Sequence, residues 1–475
     1  MLAPRALALA FVLAACRHAG APPTADRPAP LQRSAPAADV APAPTEAPAP
    51  VDAPADPLAR RLSSLADELA ERMAAVRGLP VRRPVARGVM SRAAVVDRLR
   101  QRTRAEYPPG ELELEGEMLK RLGLIPDALD YERTMFDLLE EQVLGFYDPD
   151  EHRLYIADWV PEEVQTSTMA HEVTHALQDQ HFDIGRFTHH VRGRGDAQTA
   201  AMAVVEGDAT AAMFDFALAP AGRTVLDLPD VTGSVASQMS GGDQPRLAAA
   251  PRALRETLLF PYLAGLRLCV ERMRAGGHPA IDALLREPPA STEQALHPDK
   301  LASREPPVPV PAAVPAPLAA SFELAYHDAL GEFGTRLVVA EAVGDARADA
   351  AARGWGGDQA VLLAPRGAVR PRGDGGVTLS PEALAGAALV WVSVLDPGRA
   401  QDDAEARELA AALSATLARR YAARPAARVA GALAARDVGG GRVSLVATRG
   451  RTVVYFDRVP AAAAAETVRA LTAPR

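Results

Sequence analysis

The chain has 475 residues, 48% of them apolar, with a formal net charge of -8, so it is long enough to bury a sizeable core. No dense Lys/Arg block interrupts it, and no nucleic-acid partner is expected. Its two cysteines are Cys16 and Cys269, which excludes a disulfide framework; Cys269 sits in an apolar run and is expected to be a small buried hydrophobe.

Arg5 precedes an apolar run from Ala6 to Ala15, too short to span a bilayer and of the form of a signal-peptide core. The run ends in Leu13-Ala14-Ala15-Cys16, which resembles the bacterial lipobox. That resemblance implies cleavage before Cys16, acylation of its thiol and amine, and stable membrane anchoring by two or more chains. Arg17 stands where an inner-membrane retention signal usually has Asp, so the expected address is the outer membrane. Residues 16–57 are Pro- and Ala-rich and poor in bulky apolar side chains, which predicts a semi-extended tether.

Residues 58–130 read as an N-terminal helical subdomain or a removable prosegment. Leu62, Leu65, Leu69 and Met73 recur at helical spacing within 58–76, and a Pro- and Arg-rich loop follows through Val89. Ser91 is a predicted N-cap for a helix through Arg104, and a third helix over 111–122 stops at Gly123. A fourth is expected from Pro126 or Asp127 to Val143. Gly145-Phe146-Tyr147 and Arg153–Ala157 then read as two strands around the turn Asp148-Pro149-Asp150-Glu151. The second of these is expected to be the edge along which an extended peptide docks through main-chain hydrogen bonds. Helices are predicted over 161–180, 196–218 and 252–275, with a mobile loop at 222–243. Residues 306–320 read as a linker, and 321–475 as a small C-terminal α/β domain in which 443–447 and 452–456 pair.

The chemistry is carried by His171-Glu172-Val173-Thr174-His175. Histidines four apart project from one helix face, one turn apart, and can ligate one Zn²⁺ together. Glu172 is rotated about 100° from His171, which lets it reach a water at the metal without ligating, as a catalytic base must. Two candidates compete for third ligand. His181 has the spacing of the third metzincin histidine, but Gln178, a good helix former, replaces the glycine that would turn the chain back. Glu206, within the second long helix, is favoured; Asp196 and Asp208 are further alternatives. An oxyanion needs a donor besides the metal, and His297, with Glu293 to orient it, and Tyr262 are the candidates. His189-His190 read as exposed loop, and Trp355 and Asp358 as a turn between glycines.

His171–Asp183 followed by Glu206-Gly207-Asp208-Ala209-Thr210 resembles a group of bacterial and archaeal HExxH proteins of the gluzincin superfamily. The likeness takes in Gly145–Pro149, Phe260–Leu263, Pro288–Pro298 and Gly354–Asp358, and so roughly residues 76–475. It implies an α+β fold: a mainly helical, zincin-like metallopeptidase domain with a small antiparallel sheet (131–305), followed by the small α/β domain. It further implies one Zn²⁺ on His171, His175 and Glu206, Glu172 as catalytic base, and a peptide or protein substrate. Thr210 stands where thermolysin-like members have an Asp that orients a zinc histidine, which leaves Asp208 as the acid nearest to hand. The alternative expectation is a non-catalytic, zinc-stabilised envelope lipoprotein.

Overall fold

A computed structural model describes residues 57–233, 235, 244–372, 376–396 and 403–473. The signal segment, Cys16 and the tether up to residue 56 lie outside the described residues, as does most of the second half of the expected 222–243 loop. Among the described residues no helix is long and apolar enough to cross a membrane.

The fold is mixed α+β. Helix α1 (Pro57–Arg77) buries Leu62, Ala66, Leu69 and Met73 on one stripe. Ser91 caps α2 (Arg92–Glu106) by accepting from the Ala94 N–H, and α3 (Glu111–Leu122) ends on left-handed Gly123. Helix α4 (Tyr131–Gln142) starts later than expected because the Asp130 carboxylate takes the Arg133 N–H, a cap that fixes the first turn there.

The first sheet departs from expectation in a way that matters for the site. Besides β2 (Gly145–Asp148) and β3 (Arg153–Ala157), it contains β1 (Ala86–Met90), drawn from the segment expected to be loop. β1 pairs parallel with β3 from Ala86↔Arg153 to Met90↔Ala157, while β2 pairs antiparallel with β3. The order is β1-β3-β2, so 153–157 is the central strand and cannot be the edge that receives a peptide. The sheet is therefore mixed, and its edge beside the HExxH helix is β2.

Helices α5 (Glu162–Phe182), α6 (Gly195–Leu218) and α7 (Arg252–Gly276) follow, within one or two residues of their predicted bounds. Between α6 and α7 the described part of the expected mobile loop is ordered by burial of Val225 and Val231 and by the Asp215 carboxylate, which accepts the Val225 N–H at 2.6 Å. Short helices α8 (His278–Arg286) and α9 (Thr292–Leu296) close this part.

The C-terminal region is a six-stranded sheet in which every pairing is antiparallel: β4 (Phe322–Asp328), β5 (Trp355–Pro365), β6 (Ala388–Leu395), β7 (Ala432–Gly439), β8 (Arg442–Arg449) and β9 (Thr452–Pro460), in the order β4-β5-β6-β9-β8-β7. The expected β8–β9 hairpin is present, with Leu445 opposite Phe456. Helices α10 (Gly331–Val343) and α12 (Ala404–Arg420) pack on it, and α11 (Asp345–Ala352) packs on those two helices. Residues 306–320 are not a free connection: the Val308 N–H donates to Gly356 O at 2.7 Å, and Val310, Ala312 and Val314 pack on the sheet. One apolar cluster runs from Leu62 through Val173 and Val205 to Leu337, Trp391 and Tyr455, so the helical part and the sheet share a core.

Trp355 and Asp358 lie in strand β5 rather than in a turn. The buried Asp358 carboxylate accepts from the indole N–H groups of Trp355 and Trp391 at 2.9 and 2.8 Å and from the backbone N–H groups of Leu330 and Gly331. Four donors converge on one carboxylate, which satisfies its charge inside the core.

Candidate metal centre

Helix geometry brings the first two residues together. His171 and His175 sit one turn apart on α5, and Glu206 faces them from α6. His171 Nε2 lies 3.1 Å from both His175 Nε2 and Glu206 Oε2, and His175 Nε2 lies 3.5 Å from Glu206 Oε2. A tetrahedral ion at 2.0–2.1 Å from three ligand atoms sets those atoms about 3.3–3.4 Å apart, so the three are spaced as a metal triangle. All three are buried, and among the described residues they form the one group of three His, Cys, Asp or Glu able to share an ion.

Buried polar atoms with no protein partner occur on the triangle and on its neighbour in the motif: His171 Nδ1, Glu206 Oε1 and Glu172 Oε1. Buried polar groups are nearly always satisfied, and a cluster of exceptions marks a place built for something other than protein. The donor set, two imidazoles and a carboxylate, suits zinc and leaves one tetrahedral position free of protein.

Charge is tightly coupled across the triangle. Burial lowers the His171 pKa. It also acts to lower that of His175, but Glu206 and Glu172 outweigh it and push the imidazole up to about 9. Burial opposes ionisation of Glu206, yet His175 and His171 hold its carboxyl below the ordinary range. An ion held there would compete with protons for the nitrogens of both imidazoles.

Glu172 does not join the triangle. Its Oε2 accepts the Tyr147 N–H of edge strand β2 at 2.8 Å, while Oε1 has no protein partner. Burial pushes the Glu172 carboxyl well above the usual carboxylate range, against the pull of His175 and of that N–H. Tyr147 is itself pinned: its hydroxyl donates to Asp179 Oδ2 at 2.8 Å, which also takes His152 Nδ1 at 2.7 Å. The cavity beside Glu172, lined by Gly145, Thr168 and Met169, holds only about 10 Å³.

The partner of His175 is one that the sequence reading missed. His175 Nδ1 lies 2.8 Å from Gln178 Oε1, and Gln178 Nε2 donates to Asp208 Oδ2 at 2.8 Å and to Val205 O at 3.0 Å. Asp208 thus acts through Gln178. The three-residue spacing from His175 on the same helix face was the available signal.

Tyr262 lies beside His171, with ring centroids 6.1 Å apart, and is fully buried. His297 is placed elsewhere. Its Nε2 lies 2.8 Å from both oxygens of Glu332, and it lines a different cavity of about 630 Å³ with Leu259, Phe260, Leu263 and Phe333. Tyr262 does not line that cavity. Glu293 does not orient His297; it pairs with Lys300 at 3.2 Å. His181 points away from the metal triangle, with Nε2 2.8 Å from Pro80 O. His189 is exposed, as expected, and His190 is half-buried, its ring stacked on Tyr107 and 2.6 Å from Glu111, a partner 79 residues away in sequence. Asp196 is bound by Thr292, whose N–H and hydroxyl both reach its Oδ1. Cys269 is buried, as expected, against Val204 O.

Glu206 is delivered by an unusually close helix crossing. A Cβ on Gly207 would lie 2.2 Å from the Gly265 carbonyl carbon, and one on Gly265 would lie 1.9 Å from Ala203 O. Both obstacles are backbone, so neither can yield without parting α6 from α7. Gly207→Ala is expected to cost about 3 kcal/mol, the upper end for an overpacked core, and to weaken metal binding by shifting Glu206. Chemical denaturation together with zinc titration checks this; unchanged stability and affinity would show that the crossing tolerates a methyl group.

Compared with known proteins, the chain matches no family model, no curated sequence and no solved structure.

Proposed function

We propose that this protein is a zinc-dependent peptidase, exported and anchored to the outer membrane of the cell envelope by lipid on Cys16. The observation that carries the reading is the triangle of His171, His175 and Glu206 with Glu172 beside it and one oxygen of Glu172 unengaged. Zinc on those three residues would supply Lewis acidity, polarising an amide carbonyl and making water acidic near neutral pH. Glu172, steadied by the Tyr147 N–H, takes the proton from the attacking water and passes it to the departing amine. Tyr262, beside His171, is the candidate donor to the oxyanion. His297, engaged with Glu332, has no part in this scheme.

The substrate class is a peptide or protein, whose extended backbone would add to the sheet at β2 rather than at β3, because β3 is already paired on both sides. One observation favours the other reading, a non-catalytic zinc lipoprotein: His171, Glu172, His175 and Glu206 are each at most 1% exposed. Against it, a structural zinc site closes with four protein ligands, and three converge here. A peptidase reading therefore requires β2 and its surroundings to open when substrate binds.

The test is hydrolysis of casein and of short peptides by zinc-loaded protein, repeated after chelation and after return of one equivalent of zinc. Cleavage lost on chelation and restored by zinc is the expected result. Zinc-loaded protein that cleaves nothing leaves the non-catalytic reading in its place.

A further inference from the structure

We propose that α1 is a fixed support of the metal centre rather than a removable leader, and that Arg77 is the residue through which it positions His175. The proposal rests on the reading that His171, His175 and Glu206 hold zinc. Arg77, the last residue of α1, is wholly buried. Its Nε donates to Asp208 Oδ1 and its Nη2 to Asp282 Oδ1, each at 2.6 Å. A buried guanidinium is retained only where it is paired, and this one forks between α6 and α8.

The consequence runs to the metal by four hydrogen-bonding groups in series. With Oδ1 of Asp208 held by Arg77, Oδ2 is the oxygen left to face Gln178 Nε2. The two hydrogens of that amide go to Asp208 Oδ2 and Val205 O, so the amide cannot flip without setting its oxygen against two acceptors. Gln178 Oε1 must therefore face His175, and a carbonyl oxygen only accepts. His175 Nδ1 is thus obliged to carry hydrogen, which leaves the Nε2 lone pair for the ion. The rest of α1 is built to stay: Leu62, Leu69 and Met73 are buried where the helix packs on α5 and α6. Removing residues 57–77 would uncover that stripe and leave Asp208 a buried carboxylate without its cation.

The experiment measures zinc affinity by chelator competition, and the Co²⁺ absorption spectrum, on the full chain. Arg77→Met, folded by circular dichroism, should bind zinc about tenfold to a hundredfold more weakly, the range usual for a group that orients a ligand. Arg77→Lys keeps a buried cation but cannot fork, and should fall between; it carries the test if Arg77→Met does not fold. Adding Arg77→Met to Gln178→Leu should cost little beyond Gln178→Leu alone, because the two act in one chain. Asp282→Asn keeps an oxygen that can accept from Arg77 Nη2 and does not touch Gln178, so it should weaken zinc binding less than Arg77→Lys does. Wild-type affinity in both Arg77 variants, additive losses in the double variant, or an equal loss in Asp282→Asn would each overturn the proposal while leaving the peptidase reading standing. A wild-type protein that takes up no zinc would overturn both.

Discussion

Glu172→Gln is expected to lower the rate of peptide hydrolysis by about a hundredfold to ten-thousandfold, the contribution of a positioned general base, while zinc stays bound. The substitution is nearly isosteric. The amide oxygen of Gln can still accept the Tyr147 N–H that Glu172 Oε2 accepts at 2.8 Å, so the backbone of β2 keeps its anchor. What is lost is basicity. Glu172 is not one of the three metal-triangle residues, so zinc content should be equal in the two proteins. Turnover at matched zinc occupancy is the measurement. Equal rates would remove Glu172 from the mechanism; loss of zinc in the variant would make Glu172 part of the coordination instead.

How much of this was legible beforehand follows the range of the forces involved. Helix periodicity is local, and the pairing of His171 with His175 one turn on needed only the geometry of α5. Glu206 was legible because a carboxylate within a second long helix is the natural third donor, and Ser91 and Gly123 announced their caps. Strand β1 was not legible: 86–90 lies in a Pro- and Arg-rich segment without alternation and becomes a strand only because β3 offers a partner 67 residues away at Ala86↔Arg153. That one pairing moved β3 from the edge to the centre and so moved the expected peptide-binding edge to β2.

The other departures have the same origin. His297 was read with Glu293, four residues away, yet its partner is Glu332, 35 residues on. His190 lies in a connection, as expected, yet its ring turns inward to Glu111, 79 residues away in sequence. Trp355 and Asp358 sit between glycines that suggest a turn, but Trp391 and the backbone of Leu330 and Gly331 complete a buried carboxylate site in a strand. In each case the local signal was real and a distant polar partner decided the outcome, because a buried charge costs too much to leave unpaired.

The second large effect concerns the third ligand. Glu206→Gln removes the one anionic donor of the triangle, where its Oε2 lies 3.1 Å from His171 Nε2 and 3.5 Å from His175 Nε2. The neutral amide is a poor zinc donor, and its NH₂ brings hydrogens into a space built for lone pairs. Zinc affinity should fall by more than about a hundredfold, beyond what loss of an orienting partner costs. Because Glu206 is fully buried between α6 and α5, the variant also tests whether the carboxylate is held for metal or for fold. X-ray absorption at the zinc edge on wild type and Glu206→Gln decides it most directly. One zinc per wild-type chain is expected, with nitrogen and oxygen neighbours at about 2.0–2.1 Å, no sulfur, and an imidazole signature, all lost or greatly depleted in the variant. Wild-type protein without bound zinc, or a spectrum indifferent to the residue at 206, would contradict that expectation.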